Sequence, residues 1–480
     1  MSVRADLFNG VQELIRSQLV ETGIPSLTVA AARDGEILWE EDFGWADREN
    51  RIPATPHTLY SLASISKPIT ATGLMVLVER GKIDLDHPLN DYLGEAQVRA
   101  RVGDAGDATV RRVANHSSGL PLHYHFFFED EPDPLPAMDE TLRRYGNLVT
   151  VPGERYQYSN LGYGILGHVI SRVSGKPYPD FMREEVFLPL GLTHASVNVG
   201  QGLEKYRAAR YGPNGLPIPF YDFDHPAASA VFCSAHDLVR FGMFHLKAHL
   251  PDQRAILSDQ AIDAMQQPTM EIGEGAGYGV GWRIVENEMG FRTVSHGGGM
   301  GGVSTLLKLI PSENLAVVTL ANASSPLPER IAQEICATLL PTYAENRTRW
   351  ESEQKQKQEK KQEPVFKPSP DLIGQWAGNA HTCKGEIPFT LQFQEDGDVH
   401  VRLGDQLRTL LNDARFEDGY LTGRMMGDLG TEDTRRRSSL LHVTMKLRGQ
   451  TLNGAMSAIS QGPRGNALTH WVEVRRENGG

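Results

Sequence analysis

The chain has 480 residues, of which 40% are hydrophobic and 22% charged, as expected for a protein that folds around hydrophobic cores. This length exceeds one ordinary core and predicts two domains. The formal net charge of -12 argues against a nucleic-acid partner, which would favour a basic face.

The N-terminal segment, residues 1–23, has the pattern of an amphipathic helix and lacks the apolar run of a signal peptide. No uninterrupted apolar stretch of about 18 residues occurs, so we expect no membrane span.

Cys233, Cys336 and Cys383 form no CxxC pair and no metal-ligand spacing. They are typical of free thiols in a reducing compartment, with a structural disulfide as the alternative. The sequence therefore predicts a cytoplasmic protein.

The first two thirds of the chain alternate strand and helix patterns. Apolar, partly β-branched strand patterns lie at residues 24–32, 37–45, 292–295, 303–309 and 315–321. Asp34-Gly35 predicts a tight turn between the first two, and a glycine-rich turn is expected between the third and fourth. Residues 67–81 have helical periodicity and end on a glycine. We expect a mixed α/β domain whose first and last strands share one sheet, flanked by helices.

The segment ESEQKQKQEKKQE at 351–363 contains no apolar residue and is followed by prolines, which is typical of a solvated helix or linker. Beyond it, apolar and polar residues alternate around turns at Asp396-Gly397 and Asn453-Gly454. These hairpins, with no convincing helix, predict a small antiparallel β-barrel or sandwich. We predict an α/β domain over 1–345, a charged linker over 346–368 and an all-β domain over 369–480.

Ser64 and Lys67 are spaced by three residues at the start of the predicted helix. This spacing places the hydroxyl and the amine on one face, within hydrogen-bond reach. A serine hydroxyl is a weak nucleophile until a neighbouring base takes its proton, and the lysine can help to do so. Taken alone, the pair favours the alternative of a capped helix that carries a solvated lysine.

Tyr158 and Asn160 follow a Val-Pro-Gly turn. On an extended loop, residues two apart point the same way. A phenol beside a lysine ammonium loses its proton more easily and can act as a general base. Asn160 offers an amide that can hold the lysine or a substrate carbonyl. The alternative is an ordinary surface turn.

The segment Ser295-His-Gly-Gly-Gly-Met-Gly-Gly302 is rich in glycine between two strand patterns. Such glycines allow another molecule to approach the backbone closely, as an oxyanion hole requires. A phosphate-binding loop is disfavoured because no Gly-Lys-Ser/Thr ending follows. The remaining alternative is a mobile turn that carries a surface histidine.

Together, Ser64-x-x-Lys67, Tyr158-x-Asn160 and His296-x-Gly298 resemble the motifs of the serine β-lactamase and penicillin-binding protein superfamily. The resemblance is to its class C-like branch of esterases, D-aminopeptidases and β-lactamase-related peptidases. It covers about residues 8–340, and its longest phrases lie at residues 44–93, 116–120, 151–175 and 295–323. The C-terminal part, in which Gly374-x-Trp376 opens a hairpin-rich segment, resembles more weakly the lipocalin-like barrel of some family peptidases.

The resemblance implies an acyl-enzyme mechanism without metal or cofactor. Ser64 would attack a carbonyl while Lys67 and Tyr158 shuttle its proton, and water would then release the acyl group. Oxyanion or substrate contacts are implied for Asn160, His296, Gly298 and Gly299, with the amides of Ser64 and Gly299 as the oxyanion donors. We expect a small-molecule or short-peptide substrate, and a homo-oligomer is compatible with the sequence.

One departure narrows the substrate. Where many β-lactamases and transpeptidases have Lys-Thr-Gly, this chain has His296-Gly297-Gly298. The cation and hydroxyl that would bind a β-lactam carboxylate are missing, so we expect a neutral ester or amide ahead of a D-stereospecific peptidase, and that ahead of β-lactamase or transpeptidase activity. His296 could still assist protonation, because its ordinary pKa lies near neutrality.

Other features of the sequence allow alternative functions. His123 and His125 have the spacing of strand-borne metal ligands, although no third ligand is placed beside them. An α/β-hydrolase is disfavoured because no Gly-x-Ser-x-Gly elbow occurs. A catalytically silent binding protein of the same fold remains open. The Phe126–Phe128 run and residues 211–231 suit apolar walls of a cleft. The C-terminal barrel is expected to shape the cleft edge or mediate assembly, with a hydrophobic-ligand pocket as the alternative.

Overall fold

The computed structural model describes residues 5–358 and 366–477. The sheet of the α/β part has nine strands. In spatial order they are Met270–Gly273, Ala276–Tyr278, Arg283–Glu288, Phe291–Met300, Val303–Ile310, Leu315–Ala321, Ser26–Arg33, Glu36–Asp47 and Ile52–Pro53. Strand Ser26–Arg33 pairs antiparallel with Leu315–Ala321, from Leu27 opposite Ala321 to Arg33 opposite Leu315. The predicted union of the first and last strands in one sheet is confirmed.

Strand Ser26–Arg33 is buried on both faces, which is why five of its eight residues are apolar. Leu27, Val29 and Ala31 pack on one side with the first and last helices of this region. Ala30 and Ala32 point to the opposite side and join the main core.

The helices of seven or more residues are Asn9–Thr22, Ser66–Glu79, Met138–Tyr145, Asn160–Ser174, Ala235–His245, Asp259–Met265, Leu327–Leu339 and Pro341–Gln358.

Helix Ser66–Glu79, here called the central helix, is buried from Ser66 to Leu77 and runs through the main core. Shorter helices surround it at Val110–Ala114, Tyr178–Met182 and Pro226–Ser229, with a π-helical turn at Arg183–Phe187. Small sheets formed by Tyr60–Ser61, Val231–Cys233 and Ala195–Val197, and by Phe126–Phe128 with Tyr221–Phe223, pack beside it. Two-stranded pairs join Arg99–Ala100 to Asn147–Leu148 and Arg210–Tyr211 to Pro217–Ile218.

The C-terminal part forms a second nine-stranded antiparallel sheet that is nearly closed into a barrel. In spatial order its strands are Thr409–Leu410, Val399–Leu403, Gly385–Phe393, Gly374–Thr382, Ala467–Arg476, Thr451–Ile459, Leu440–Arg448, Tyr420–Met425 and Asn412–Glu417. Alternate residues such as Trp376, Leu391 and Val443 fill its interior. The predicted antiparallel barrel is confirmed, and one four-residue helix, Glu432–Arg435, interrupts the hairpins that were expected to lack helices.

The segment predicted as a charged linker begins as helix Pro341–Gln358, and residues 359–365 lie outside the described residues. The domain boundaries drawn from the sequence stay predictions. In the described part of the chain, no helix is both long and apolar enough to cross a lipid bilayer. The three cysteines are free thiols, Cys233 and Cys336 buried and Cys383 exposed.

The barrel packs directly on the α/β part. Tyr124 and Ala467 exchange two backbone hydrogen bonds of 3.0 and 2.8 Å, and Leu468 joins the main core. On the same interface, the buried carboxylate of Asp433 accepts hydrogen bonds from Arg144 and Tyr145. Backbone pairing and a buried ion pair thus fix the barrel at the edge where the candidate site lies.

Candidate active site

Ser64 lies in a 3-10 turn, Ala63–Ile65, that leads into the central helix. The turn is strained, because Ala63 has a φ of 48°, in the left-handed region that L-residues rarely adopt. Two hydrogen bonds hold the preceding residue Leu62: its amide donates to Val231 O at 2.9 Å and its carbonyl accepts from Thr305 Oγ1 at 2.9 Å. The result is a half-buried serine presented at the N-terminus of a buried helix.

Lys67 is fully buried, one turn further along. Its Nζ lies 3.1 Å from Ser64 Oγ, 2.7 Å from Asn160 Oδ1 and 3.2 Å from the carbonyl oxygen of Ala228. Burial lowers the pKa of Lys67 well below its usual range, because a charged amine loses its hydration there. The amine can therefore give up its proton and act as a base towards Ser64.

Tyr158 donates a hydrogen bond from its hydroxyl to Ser64 Oγ at 2.8 Å. Burial raises the pKa of Tyr158, with the hydrogen bond to Ser64 opposing the shift. The phenol is therefore neutral near neutral pH. Although the sequence suggested a tyrosine made acidic by a neighbouring ammonium, the electrostatics favour Lys67 as the base and Tyr158 as the donor.

Asn160 is the first residue of helix Asn160–Ser174 and not part of an extended loop as predicted. Ser159 caps this helix, its hydroxyl accepting from the amide of Gly162 at 3.1 Å. The helix start brings the Asn160 side chain to Lys67, where its Oδ1 accepts the shortest of the three Lys67 contacts. Asn160 therefore orients the Lys67 amine through this hydrogen bond.

The glycines at 297–299 belong to strand Phe291–Met300 and not to a turn, which is formed instead by Gly301 and Gly302. A Cβ at Gly298 would lie 2.1 Å from Leu62 O and 2.3 Å from Thr305 Oγ1. Only glycine lets this strand lie against the turn that carries Ser64. A Cβ at Gly299 would meet nothing within 4 Å, since this residue borders open space.

His296 lies behind the strand edge and is only 7% exposed. Its Nδ1 is 2.6 Å from the carbonyl oxygen of Gly297, and its Nε2 is 2.8 Å from the hydroxyl of Tyr278. A carbonyl can only accept, so Nδ1 carries the proton and Nε2 accepts from Tyr278. Burial, and then the charge of Lys67, lower the pKa of His296 to about 3. His296 is thus a neutral, fully engaged side chain, and a protonating role finds no support.

A cavity of about 610 Å³ opens from Ser64. The predicted residues Ser64, Asn160 and Gly299 line it, whereas His296 and Gly298 lie behind its wall. Its apolar lining consists of Tyr124, Phe126, Pro213, Met300, Val303, Ile459 and Pro463. Within residues 5–358 and 366–477, no lysine, arginine, aspartate or glutamate lines it. Such a cavity suits a neutral and largely apolar ligand.

The barrel supplies one wall of this cavity. Its loop at 460–465, here called the barrel loop, connects strands Thr451–Ile459 and Ala467–Arg476. Five of its residues line the cavity: Ser460, Gln461, Gly462, Pro463 and Gly465. A Cβ at Gly301 would lie 2.2 Å from Pro463 O, so the strand turn and the barrel loop touch through backbone. The expectation that the barrel shapes the cleft edge agrees with this arrangement.

The sequence did not predict the residues that support the candidate side chains. The ring of His116 lies 4.3 Å from that of Tyr158, and its Nδ1 accepts from the amide of Ser159 at 3.1 Å. His116 stands in one of the phrases that carried the family resemblance, which was the available signal. The metal-ligand spacing of His123 and His125 is not realised as a pair: His123 instead lies beside Asp224 and His225.

Comparison with known proteins bears on this site. A family model described as Beta-lactamase matches residues 11–336, more than half of the chain. The chain belongs to the beta-lactamase family. Members of this family are serine hydrolases, among them penicillin-binding proteins and β-lactamases.

Two relatives and two solved structures illustrate the range of the beta-lactamase family. Penicillin-binding protein 4* of Bacillus subtilis is 27% identical over 62% of this chain and 67% of its own length. Unguisins hydrolase ungD' of Aspergillus campestris is 29% identical over 65% of this chain and 61% of its own, less than two thirds of that protein. The octameric penicillin-binding protein homologue from Pyrococcus abyssi has a TM-score of 0.60 at 23% identity, covering 95% of this chain and 99% of that one. A class C beta-lactamase has a TM-score of 0.61 at 21% identity, covering 70% and 97%. These structures share the fold.

Proposed function

We propose that the chain is a serine hydrolase that cleaves esters or amides of small molecules or short peptides through an acyl-enzyme on Ser64. The observation that carries the proposal is the double hydrogen bonding of Ser64 Oγ, to Lys67 Nζ at 3.1 Å and to Tyr158 OH at 2.8 Å, at the base of a cavity. Acyl transfer needs a nucleophile, a base that removes its proton and a proton donor for the leaving group. The base and the donor both contact Ser64 Oγ.

In the acylation step, the neutral amine of Lys67 takes the proton of Ser64. As a neutral amine, Nζ donates to Asn160 Oδ1 and to the carbonyl of Ala228, which leaves its lone pair for the serine hydroxyl. Tyr158, whose hydroxyl touches the same oxygen, carries the proton onward to the leaving group. The carbonyl oxygen, as its charge develops, lies against the amides of Ser64 and Gly299.

The lining of the cavity supports a neutral substrate with an apolar acyl group. A β-lactam or a peptide with a free carboxylate would bury its charge without a cation among the described lining residues, and burial of an unpaired charge is costly. The name of the Aspergillus relative, Unguisins hydrolase, supports hydrolysis as the reaction. We rank ester or amide hydrolysis first, then a D-stereospecific peptidase, then β-lactam hydrolysis or transpeptidation.

Assembly and location are part of the same proposal. The Pyrococcus homologue, which aligns along nearly the whole chain, is described as octameric. We propose a homo-oligomer on this basis, to be tested by light scattering. A cytoplasmic location stays a prediction from the sequence.

Covalent labelling tests the proposal. A fluorophosphonate probe is expected to label the intact protein on Ser64 and to leave Ser64→Ala unlabelled. Ser352→Ala, which changes a serine on the surface of helix Pro341–Gln358, is the matched control and should label fully. Absence of labelling in the intact protein would instead identify a catalytically silent binding protein.

A substrate panel then ranks the activities. p-Nitrophenyl esters, D-amino acid anilides and a chromogenic cephalosporin are compared by kcat/KM. We expect ester cleavage to dominate. Fast cephalosporin turnover without ester cleavage would overturn the ranking.

A further inference from the structure

A buried cluster beside the candidate site has no place in the acylation step. His123, Asp224 and His225 are each at most 3% exposed. Asp224 Oδ2 lies 2.7 Å from His123 Nε2, and Asp224 Oδ1 lies 2.6 Å from His225 Nδ1. An ionised carboxylate only accepts, so each imidazole donates one N–H to it.

These distances favour two hydrogen bonds over a shared metal ion. Ligands held about 2.0–2.2 Å from a tetrahedral zinc ion would lie about 3.3 Å or more from one another. The separations of 2.6 and 2.7 Å are those of charge-assisted hydrogen bonds. The aspartate therefore fixes the orientation and the tautomer of both rings.

The two histidines differ in what they face. His225 lines the cavity together with Ser64 and Asn160, whereas His123 does not. Because its Nδ1 donates to Asp224, the Nε2 of His225 keeps a free lone pair. That atom is itself buried, and it has no hydrogen-bond partner among residues 5–358 and 366–477. The backbone that carries His225 also lies close to Lys67, since Ala228, three residues on, accepts a hydrogen bond from the Lys67 amine.

We propose that His225, oriented by Asp224, is a second general base of the site and deprotonates the water that hydrolyses the acyl-enzyme. This inference rests on the proposed function. Lys67 and Tyr158 both contact Ser64 Oγ itself, the atom that becomes the ester oxygen. His225 is a base on the same cavity that is not bonded to that oxygen, and a carboxylate behind an imidazole is an arrangement that stabilises the imidazolium as it forms.

Hydrolysis of the acyl-enzyme by this route transfers two protons. A water O–H bond breaks, its proton goes to His225 Nε2, and its oxygen forms a bond to the acyl carbon. The carbonyl electron pair moves onto the oxyanion and returns as the C–Oγ bond of Ser64 breaks. Oγ takes a proton from the Tyr158 hydroxyl, and the imidazolium returns one to the phenolate. The products are a carboxylic acid and free Ser64.

The protonation state of His225 suits a base. Burial lowers the pKa of His225 below its ordinary value of 6.5, Asp224 opposes that shift, and His123 and Lys67 add to it. The ring is therefore uncharged at neutral pH. The rate of deacylation should fall only in a pH range below 6.5, where Nε2 becomes protonated.

The test separates acylation from deacylation. In His225→Asn, the side-chain amide can still donate to Asp224, as Nδ1 did, but the Nε2 lone pair is gone. In stopped-flow with p-nitrophenyl butyrate, we expect a burst of one nitrophenol per site at near wild-type rate, then steady-state turnover reduced by about 10²- to 10⁴-fold. Intact mass spectrometry should show the butyryl adduct accumulating in this variant, and the acid limb of the deacylation rate should disappear.

His123→Gln is the matched control, because its amide can still donate to the other oxygen of Asp224 and it does not line the cavity. It should turn over at near wild-type rate. Wild-type turnover in His225→Asn, or equal loss of burst and steady state, would overturn the proposal, as would one equivalent of zinc in the purified protein. If His225→Asn fails to fold, Asp224→Asn must slow deacylation more than acylation. Lack of any burst in the wild type would instead count against the proposed hydrolase.

Discussion

The two sides of the cavity are built in different ways. The inner side is made of buried side chains of the α/β part, such as Lys67, whose amine makes three polar contacts. The outer side is the barrel loop, which meets the turn at Gly301 through backbone atoms. The inner side depends on side-chain contacts between particular residue types. The barrel loop is held by its backbone contact at Gly301 and by the ion pair of Arg464 with Asp130, so its side chains that line the cavity are less constrained. The difference suggests that reaction chemistry and substrate choice are set separately.

Replacing Lys67 by Met should have the largest effect on the inner side. Methionine has nearly the same length but cannot take the proton of Ser64, so we expect kcat/KM for an ester to fall by about 10³- to 10⁴-fold. Because Lys67 acts as a neutral base, wild-type activity should rise with pH through its lowered pKa, and this limb should vanish in the variant. Steady-state kinetics across pH with p-nitrophenyl butyrate measures both.

Tyr158→Phe is the companion variant. It removes one donor but leaves the base, so its loss should be smaller than that of Lys67→Met. A larger loss in Tyr158→Phe would show that tyrosine is the base, as the sequence first suggested.

Two neighbouring glycines of strand Phe291–Met300, Gly298 and Gly299, differ in how closely other atoms pack against them. In Gly298→Ala, the added Cβ would lie 2.1 Å from a backbone oxygen, and we expect a loss of about 3 kcal/mol in the free energy of unfolding. Gly299→Ala meets nothing within 4 Å and should stay within about 0.5 kcal/mol of wild type. Urea unfolding compares them, and equal stabilities would contradict the close packing of strand and turn.

The inner side was largely predictable from the sequence. The spacing of Ser64 and Lys67 is local, and a helix converts it directly into a hydrogen-bonded pair. The family resemblance joined Tyr158 and Asn160 to this pair, although Asn160 opens a helix and the predicted loop geometry was wrong. Strand patterns near both ends of the α/β part predicted that its first and last strands share one sheet, but they did not give the order of the strands between.

The outer side could not be predicted in this way. Alternating residues around the barrel loop indicate a hairpin but not the surface on which it packs. The contact between Gly301 and Pro463 is made by backbone and leaves no side-chain pattern. The protonation state of His296 could not be predicted either. Pairing of the strands brings Tyr278, which lies 18 residues away in the sequence, to the Nε2 of His296. Non-local contacts of this kind decide the environment of a titrating group.

The buried, uncharged ring of His296 should make the free energy of unfolding depend on pH. Its pKa is about 3 in the folded protein and about 6.5 when exposed, so the unfolded state binds the proton more readily between these values. Stability should be lost as pH falls below about 6.5. In His296→Asn, whose side chain has no such titration, the loss between pH 7 and pH 5 should be smaller by up to about 2 kcal/mol. Urea unfolding at both pH values checks this, and identical losses would show that His296 is not buried as a neutral base.

The outer side is tested by shortening the barrel loop. Ser460 and Asn466 close its neck with hydrogen bonds of 2.7 and 2.9 Å, so residues 461–465 can be replaced by Asn-Gly without opening the hairpin. Losing one apolar wall should lower kcat/KM for p-nitrophenyl octanoate about tenfold, since each buried methylene contributes about 0.8 kcal/mol. The acetate, which is too short to reach the wall, should change less than about twofold.

Arg464→Gln is the control for this variant, because it removes the ion pair with Asp130 but keeps the wall. It should leave the ratio of octanoate to acetate unchanged. Equal losses of kcat/KM for both esters in the shortened loop would mean that the barrel supports the reaction itself. Reaction chemistry and substrate choice would then not be set by separate sides of the cavity. A shift in the ratio alone would place selection of the acyl chain on the barrel, at a distance in sequence of nearly 400 residues from the nucleophile.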